Sequence, residues 1–319
     1  MVASHQSGFT RGSSPGTGVA ESLLEALWFG EDDEARPRDQ AARGLALEIA
    51  RIQALRPFPA AAQKLLRLLS DESFDRKEVN AVIEHDPSLA ARTLAVANSP
   101  LFRSRLACRT IDDATRRLGS RSLRDVAVGV AAMSMFREAP GAGTRIRDHS
   151  VGVAAVVRML AELVIPAEAS ALFLTGLLHD VGQLLLLQTE ELTYAHDEPF
   201  DDTTVLKERE ALGYDHAVLG GLVMNLWRIP EPAAQIVGWH HQHARALEGG
   251  GQVALMVALL RAADRIEPVL ASRRELDEEL VRYLGEDAAW SYAELSLGDL
   301  RQLWPAMVEA RAEMLSALT

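Results

Sequence analysis

Apolar residues recur at helical spacing through nearly the whole chain from Gln40 onward, and no run alternates with the period of two that a half-buried strand requires. The segment Leu55-Arg56-Pro57-Phe58-Pro59 breaks the first long helix, because two prolines forbid its continuation and hold the chain extended. Lys64 to Leu69 resumes an apolar stripe, and Val79 to Ile83 predicts a short helix. His85-Asp86-Pro87-Ser88 starts the next one, with Asp86 as N-cap and Pro87 at the first helical position. That helix ends near Asn98-Ser99-Pro100. Thr110 opens another, which stops at Leu118-Gly119, and a long apolar segment follows from Val126 to Phe136.

A Pro-Gly-Ala-Gly break at 140–143 marks the expected boundary between two helical lobes, 48–140 and 141–265. Beyond it the periodicity predicts helices over 148–164, 168–188, 203–212, 215–227, 231–243 and 252–265. A polar pair then lies within 273–284 and 297–317. Residues 21–47 read as an N-terminal helical extension, and 266–319 as C-terminal helices whose Trp290, Tyr292 and Trp304 are expected to cover the bundle. Residues 1–20, rich in Gly, Ser, Thr and Pro, have no apolar face and read as a flexible tail. The fold class expected is all-α.

Composition sharpens this in three ways. Hydrophobic residues make up 48% of 319 positions while aromatics are only 5%, so Leu, Ala and Val must do the packing, as in helical bundles. A formal charge of −12 argues against broad binding to nucleic acid or to an anionic membrane, since phosphates need clustered Lys and Arg. Cys108 is the single cysteine, which rules out an intramolecular disulfide and a cysteine-based zinc site, and it reads as a small buried hydrophobe. No apolar signal region opens the chain, and the greasiest stretch, Ala171 to Leu187, is interrupted by His179 and Asp180. It reads as a core helix rather than a membrane span, so a cytoplasmic protein is expected.

Five segments of the second half each deliver a His or an Asp from within an apolar helix. His149 opens HSVGVAAVV, His179 and Asp180 sit in LTGLLHDVGQLLLL, and His216 lies in GYDHAVLGGLV. His240 and His241 lie in IVGWHHQHA, and Asp264 follows Ala262-Ala263 in MVALLRAADRI. Singly, each has a plain explanation: His149 and His216 as helix-start residues, Asp264 as a solvated charge between Arg261 and Arg265. The His179-Asp180 pair is harder to dismiss, because an imidazole and a carboxylate buried among leucines need partners. A divalent cation held by nitrogen and oxygen ligands fits that need. His85-Asp86 copies the pair without its company, and His196 and His243 fit no slot.

The order H…HD…H…HH…D resembles the metal-ligand order of HD-superfamily phosphohydrolases. By that resemblance His149, His179, Asp180 and Asp264 bind one metal. His216, His240 and His241 complete a second site, with Asp180 bridging both. The first half of the chain points to a subfamily. Leu55-Arg56-Pro57-Phe58-Pro59, VIEHDPSLAARTLAVANSPLF (82–102), TIDDATRRLGSRSLRDVAV (110–128) and Trp227-Arg228-Ile229-Pro230 resemble the motifs of HDOD modules. The likeness covers about residues 48–265 and implies a two-lobed helical bundle acting as a regulatory output of bacterial signalling. Protein partners and one or two divalent transition-metal ions (Fe, Mn or Zn) go with it, and a small phosphate or nucleotide ligand stays open. The alternative is a divergent metal-dependent phosphohydrolase. Two departures weigh against that. Gln183 stands where phosphodiesterases of the HD-GYP type carry lysine, and no Gly-Tyr-Pro follows His240-His241. Glutamine can donate a hydrogen bond but brings no positive charge to a phosphate. Arg228 and Arg261 are the candidates to replace that charge if folding brings them in.

Overall fold

The computed structural model describes residues 38–55, 58–69, 75–102, 107–136, 141–189, 192, 194 and 202–318. The expected tail (1–20) and most of the N-terminal extension lie outside these. The described residues contain sixteen α-helices and no strand, the all-α class the periodicity requires. The first five are α1 (Arg38–Leu55), α2 (Ala60–Leu69), α3 (Arg76–Glu84), α4 (Pro87–Asn98) and α5 (Ile111–Ser134). The next five are α6 (Ala142–Val164), α7 (Ala169–Leu178), α8 (Val181–Thr189), α9 (Asp202–Leu212) and α10 (His216–Leu226). Then come α11 (Ala233–Trp239), α12 (His243–Gly249) and α13 (Gly251–Ala271). The chain finishes with α14 (Glu278–Gly285), α15 (Ala288–Tyr292) and α16 (Leu297–Leu318).

Local chemistry sets the ends. Asp86 accepts from the backbone N–H groups of Ser88 and Leu89, each about 3 Å away, and Pro87 follows as the first residue of α4. Such a cap is worth about 1 kcal/mol and fully accounts for the carboxylate of the His85-Asp86 copy. Thr110 and Asp113 form a reciprocal capping box at the start of α5. Gly119 (φ 77) puts a kink inside that helix, so the expected stop becomes a bend. The expected helix over 168–188 is two helices, α7 and α8, and the break falls on His179-Asp180. Just past the break, α8 begins against the start of α10, so closely that a Cβ at Gly182 would collide with the His216 carbonyl oxygen. The segment expected as 231–243 likewise ends at Trp239 and passes into a single 3-10 turn, His240–Gln242.

Two cores hold the bundle. The first gathers apolar side chains of α1–α8, α10, α11 and the end of α16, and includes residues on both sides of Gly141 (φ 60), which leads the chain into α6. The second joins α6, α7, Ile236 of α11, α13, α14, α15 and the first half of α16. Helix α6 serves both, with Val151, Ala154 and Ala155 in the first and Val153, Val156, Val157 and Leu160 in the second. A helix apolar all round is one that neighbours cover on every side. Trp290 and Trp304 are buried in the second core, the covering role expected of them, and Cys108 is buried as expected. One stretch among the described residues, Pro166–Gln188, is long and apolar enough to cross a membrane, and 83% of its apolar window is buried inside the protein.

Candidate metal centre

Side chains 115 positions apart meet where α6, α13, the α7–α8 junction, the start of α10 and the 3-10 turn converge. His149 projects from α6, Asp264 from α13 and His216 from the first position of α10, whose N-cap is Asp215. His179 and Asp180 occupy the break between α7 and α8, and His240 and His241 the turn after α11. The expectation that each would sit inside an apolar helix therefore holds for His149 and Asp264. The others lie at helix ends, where the chain can turn a side chain inward without burying a whole further turn. All seven come together in two groups that meet at Asp180.

In the first group, potential ligand atoms of His149, His179 and Asp264 lie within 4.8 Å of one another; in the second, those of Asp180, His216, His240 and His241 do. Asp180 faces both groups. Its Oδ2 stands 3.3 Å from His179 Nε2 and 3.8 Å from His149 Nε2. Its Oδ1 stands 3.3 Å from His216 Nε2 and 3.6 Å from His240 Nε2. All of these side chains are buried except His241, which is half-buried.

The far side of four of the five rings is anchored. His149 Nδ1–H donates to Glu267 Oε2 (2.6 Å), and His216 Nδ1–H donates to Glu208 Oε2 (2.7 Å). His179 Nδ1–H donates to the Gly176 carbonyl (2.8 Å), and His240 Nδ1–H to that of Val237 (2.6 Å). These bonds fix each ring so that Nε2 points at the cluster. The Nε2 atoms of His179 and His240 are buried there with no hydrogen-bond partner. A ring nitrogen orphaned inside while its other nitrogen is held by a carboxylate or carbonyl is what a metal-ligating histidine presents. The donor set, imidazole with carboxylate, suits Zn, Fe or Mn. The residues therefore fit one or two divalent ions, with His149, His179, Asp264 and Asp180 Oδ2 around one and His216, His240, His241 and Asp180 Oδ1 around the other.

Without an ion the cluster closes on itself electrostatically. Burial works against charge on His149, but Glu267 and Asp264 outweigh it and raise its pKa to about 10. His216 is likewise held well above the usual histidine range, burial being overcome by Glu208 and Asp180. Asp180 stays well below the carboxylate range despite its burial, because His179, His216 and His240 surround it, and His149 keeps Asp264 low against the same burial cost. Burial and neighbouring imidazoles hold His241 well below its ordinary value. Two imidazoliums thus stand against the carboxylates, and both must lose a proton before Nε2 can bind a cation.

Sequence reasoning missed Glu208 and Glu267. Glu267 lies three residues beyond Asp264, on the same face of α13, and that spacing could have flagged it. Nothing in the sequence singles out Glu208. Of the candidate cations, Arg261 is buried and comes to 3.9 Å from Asp264 and 3.6 Å from Asp287, whereas Arg228 is exposed. Gln183 is buried with its Nε2 3.4 Å from His216 Nδ1. His243 is half-buried and His85 exposed.

The comparisons agree with this architecture. A structure from Shewanella amazonensis SB2B, provisionally described as a phosphohydrolase, superposes with a TM-score of 0.65 at 24% identity, covering 86% of this chain and 98% of that one. A Marinobacter aquaeolei VT8 structure, provisionally described as a signal transduction protein, superposes with a TM-score of 0.54 at 19% identity, covering 94% and 66%. An uncharacterized protein of Treponema pallidum (strain Nichols) is 23% identical over 215 residues, 64% of this chain and 41% of its own length; the chain thus spans about two fifths of that curated relative. The HDOD domain family matches residues 55–243, more than half of the chain, and the chain belongs to that family.

Proposed function

We propose that this chain is a regulatory module that carries one or two divalent transition-metal ions at the His/Asp centre and acts on protein partners in a signalling pathway. The observation that carries the metal reading is Asp180, a buried carboxylate with one oxygen turned to each of two ligand groups, four of whose five rings are locked from behind. A bound ion would supply charge neutralisation for this carboxylate cluster and Lewis acidity. The chain's own residues contribute orientation and exclusion of water. Glu267 and Glu208 fix His149 and His216, and burial leaves His241 as the most accessible ligand.

Regulation rather than turnover is favoured by what surrounds the ligands. Phosphoryl transfer needs a cation or donor aimed at the substrate's oxygens. Here Gln183 occupies the lysine position without a charge, Arg261 is shared between Asp264 and Asp287, and Arg228 is exposed. The second reading, a metal-dependent phosphohydrolase, is favoured by the completeness of the ligand set and matches the name of the Shewanella structure. The Marinobacter name accords with the first.

Elemental analysis of protein purified without chelators, followed by turnover assays with manganese, iron(II) and zinc, separates the two. The expected result is stoichiometric metal with no hydrolysis of cyclic dinucleotides and little of simple phosphoesters. Metal-dependent turnover that disappears in Asp180→Ala would promote the phosphohydrolase reading.

A further inference from the structure

Helix α16 lies beyond the segment that matches the family, yet it reaches the centre. Arg311 Nε–H donates to Glu267 Oε1 at 2.7 Å, while the other oxygen of the same carboxylate receives His149 Nδ1–H at 2.6 Å. Glu267 is 2% exposed, so it must be paired on both oxygens to be tolerated there. Room for it is made by Gly152 of α6: a Cβ at that position would stand 2.5 Å from Glu267 Cγ and 2.6 Å from Oε1. A continuous chain of contacts therefore runs from a candidate metal ligand through one carboxylate to one guanidinium of the last helix.

That helix is placed to respond. Its first half puts Leu300, Trp304 and Met307 into the second core, and its second half puts Ala310, Met314 and Leu318 into the first. Arg311 sits where α16 passes from one core to the other. At the far end, the Leu318 carbonyl accepts from Arg92 of α4 at 2.7 Å. The helix thus straps the half of the protein that carries the His/Asp centre to its N-terminal helices, and at the crossing Arg311 links it to the carboxylate behind His149.

We infer that Arg311 is a positioning residue of the metal centre and that α16 couples metal occupancy to the docking of the C-terminal helix across the two cores. The inference rests on the metal reading above. An ion on His149 Nε2 draws on the ring orientation that Glu267 maintains, and Glu267 keeps its place only while Arg311 holds its other oxygen. Coupling of this kind is reciprocal: whatever α16 contributes to metal affinity, the metal returns to the docking of α16.

The test uses the full chain. Zinc and manganese affinities are measured by competition with a chelator for the unaltered protein, Arg311→Gln, Arg311→Lys and Arg301→Gln. Amide hydrogen exchange over residues 307–318 is followed with and without the ion. Arg301 is the reference because its exposed pair with Glu278 lies on the same helix, away from Glu267. Expected are a loss of about tenfold in the affinity of one ion in Arg311→Gln, the scale typical of residues that orient metal ligands, with partial recovery in Arg311→Lys and none lost in Arg301→Gln. Metal should also slow exchange over 307–318 in the unaltered protein and cease to do so in Arg311→Gln. Unchanged affinity in Arg311→Gln, or exchange over 307–318 that ignores metal, overturns the inference while leaving the metal reading intact. The exchange comparison on the unaltered protein decides the matter even if Arg311→Gln does not fold. An unaltered protein that takes up neither ion overturns both.

Discussion

The two halves of the centre use the same device with different hardware. Around Asp180 Oδ2 gather two imidazoles and the Asp264 carboxylate, and the anchoring carboxylate Glu267 is held by Arg311 from a helix outside the family's segment. Around Asp180 Oδ1 gather three imidazoles. The carboxylate behind His216, Glu208, is held inside that segment, by the Tyr194 hydroxyl at 2.6 Å and the His216 backbone N–H at 2.7 Å. The first half is oxygen-richer and enclosed, and depends on the C-terminal helix. The second is nitrogen-richer, includes half-buried His241 and has its carboxylate anchor held within the family's segment. The contrast teaches that two ligand groups meeting at one carboxylate can be oriented separately from behind, because the His149 and His216 ring nitrogens that face away from Asp180 have different partners, Glu267 and Glu208.

Asp180→Ala removes what the halves share and should have the largest effect. Elemental analysis should find both ions gone. The stabilisation that excess metal confers, about 2.7 kcal/mol at a hundredfold over Kd, should vanish from thermal melts. Retention of one full equivalent would show that the halves do not share the carboxylate.

Replacing the anchors separates them. Glu267→Gln should weaken one ion by about 10- to 100-fold and leave the other unchanged, and Glu208→Gln should do the converse. A metal titration resolved into two steps reads this directly. If both variants weakened the same step, the assignment of anchors to separate sites would fail.

Acidity gives the smallest change per step. In the metal-free protein the His149 pKa is raised to about 10, above the unfolded value of about 6.5. The stability its protonated form contributes is thus full below about pH 6.5 and is lost as pH rises towards 10. Metal must displace that proton, so affinity should climb with pH across this window by about tenfold per unit for each histidine proton released. Calorimetry in buffers of different ionisation heat counts those protons. Affinity that stays flat between pH 6 and 8 would mean that His149 and His216 are not protonated in the empty site.

Much of this was legible beforehand. Helical periodicity with no strand pattern predicts the all-α class, and the Asp86-Pro87 cap and the Thr110 start appear in the structure as read. The seven side chains singled out for their order along the chain are the ones folding brings together. Less legible were the breaks. Ala171 to Leu187 looks like one helix because periodicity registers apolar spacing, not the approach of another backbone such as that of His216 against Gly182. Taken alone, Asp264 between two arginines reads as solvated, and only the order of the ligand set points to its burial, where α6 covers the face of α13 that carries it.

By itself the sequence determined the helices, their principal caps and the set of residues able to bind metal, since helix propensity, capping and ligand chemistry belong to residues and their near neighbours. Tertiary structure alone decided that Asp180 turns one oxygen to each group, that Glu267 and Glu208 rather than other glutamates stand behind the rings, and that Arg311 reaches back from the last helix. Those facts depend on orientations across separations of up to 118 positions between hydrogen-bonded residues. Such orientations are set by how helices pack, and no local pattern along the chain encodes them.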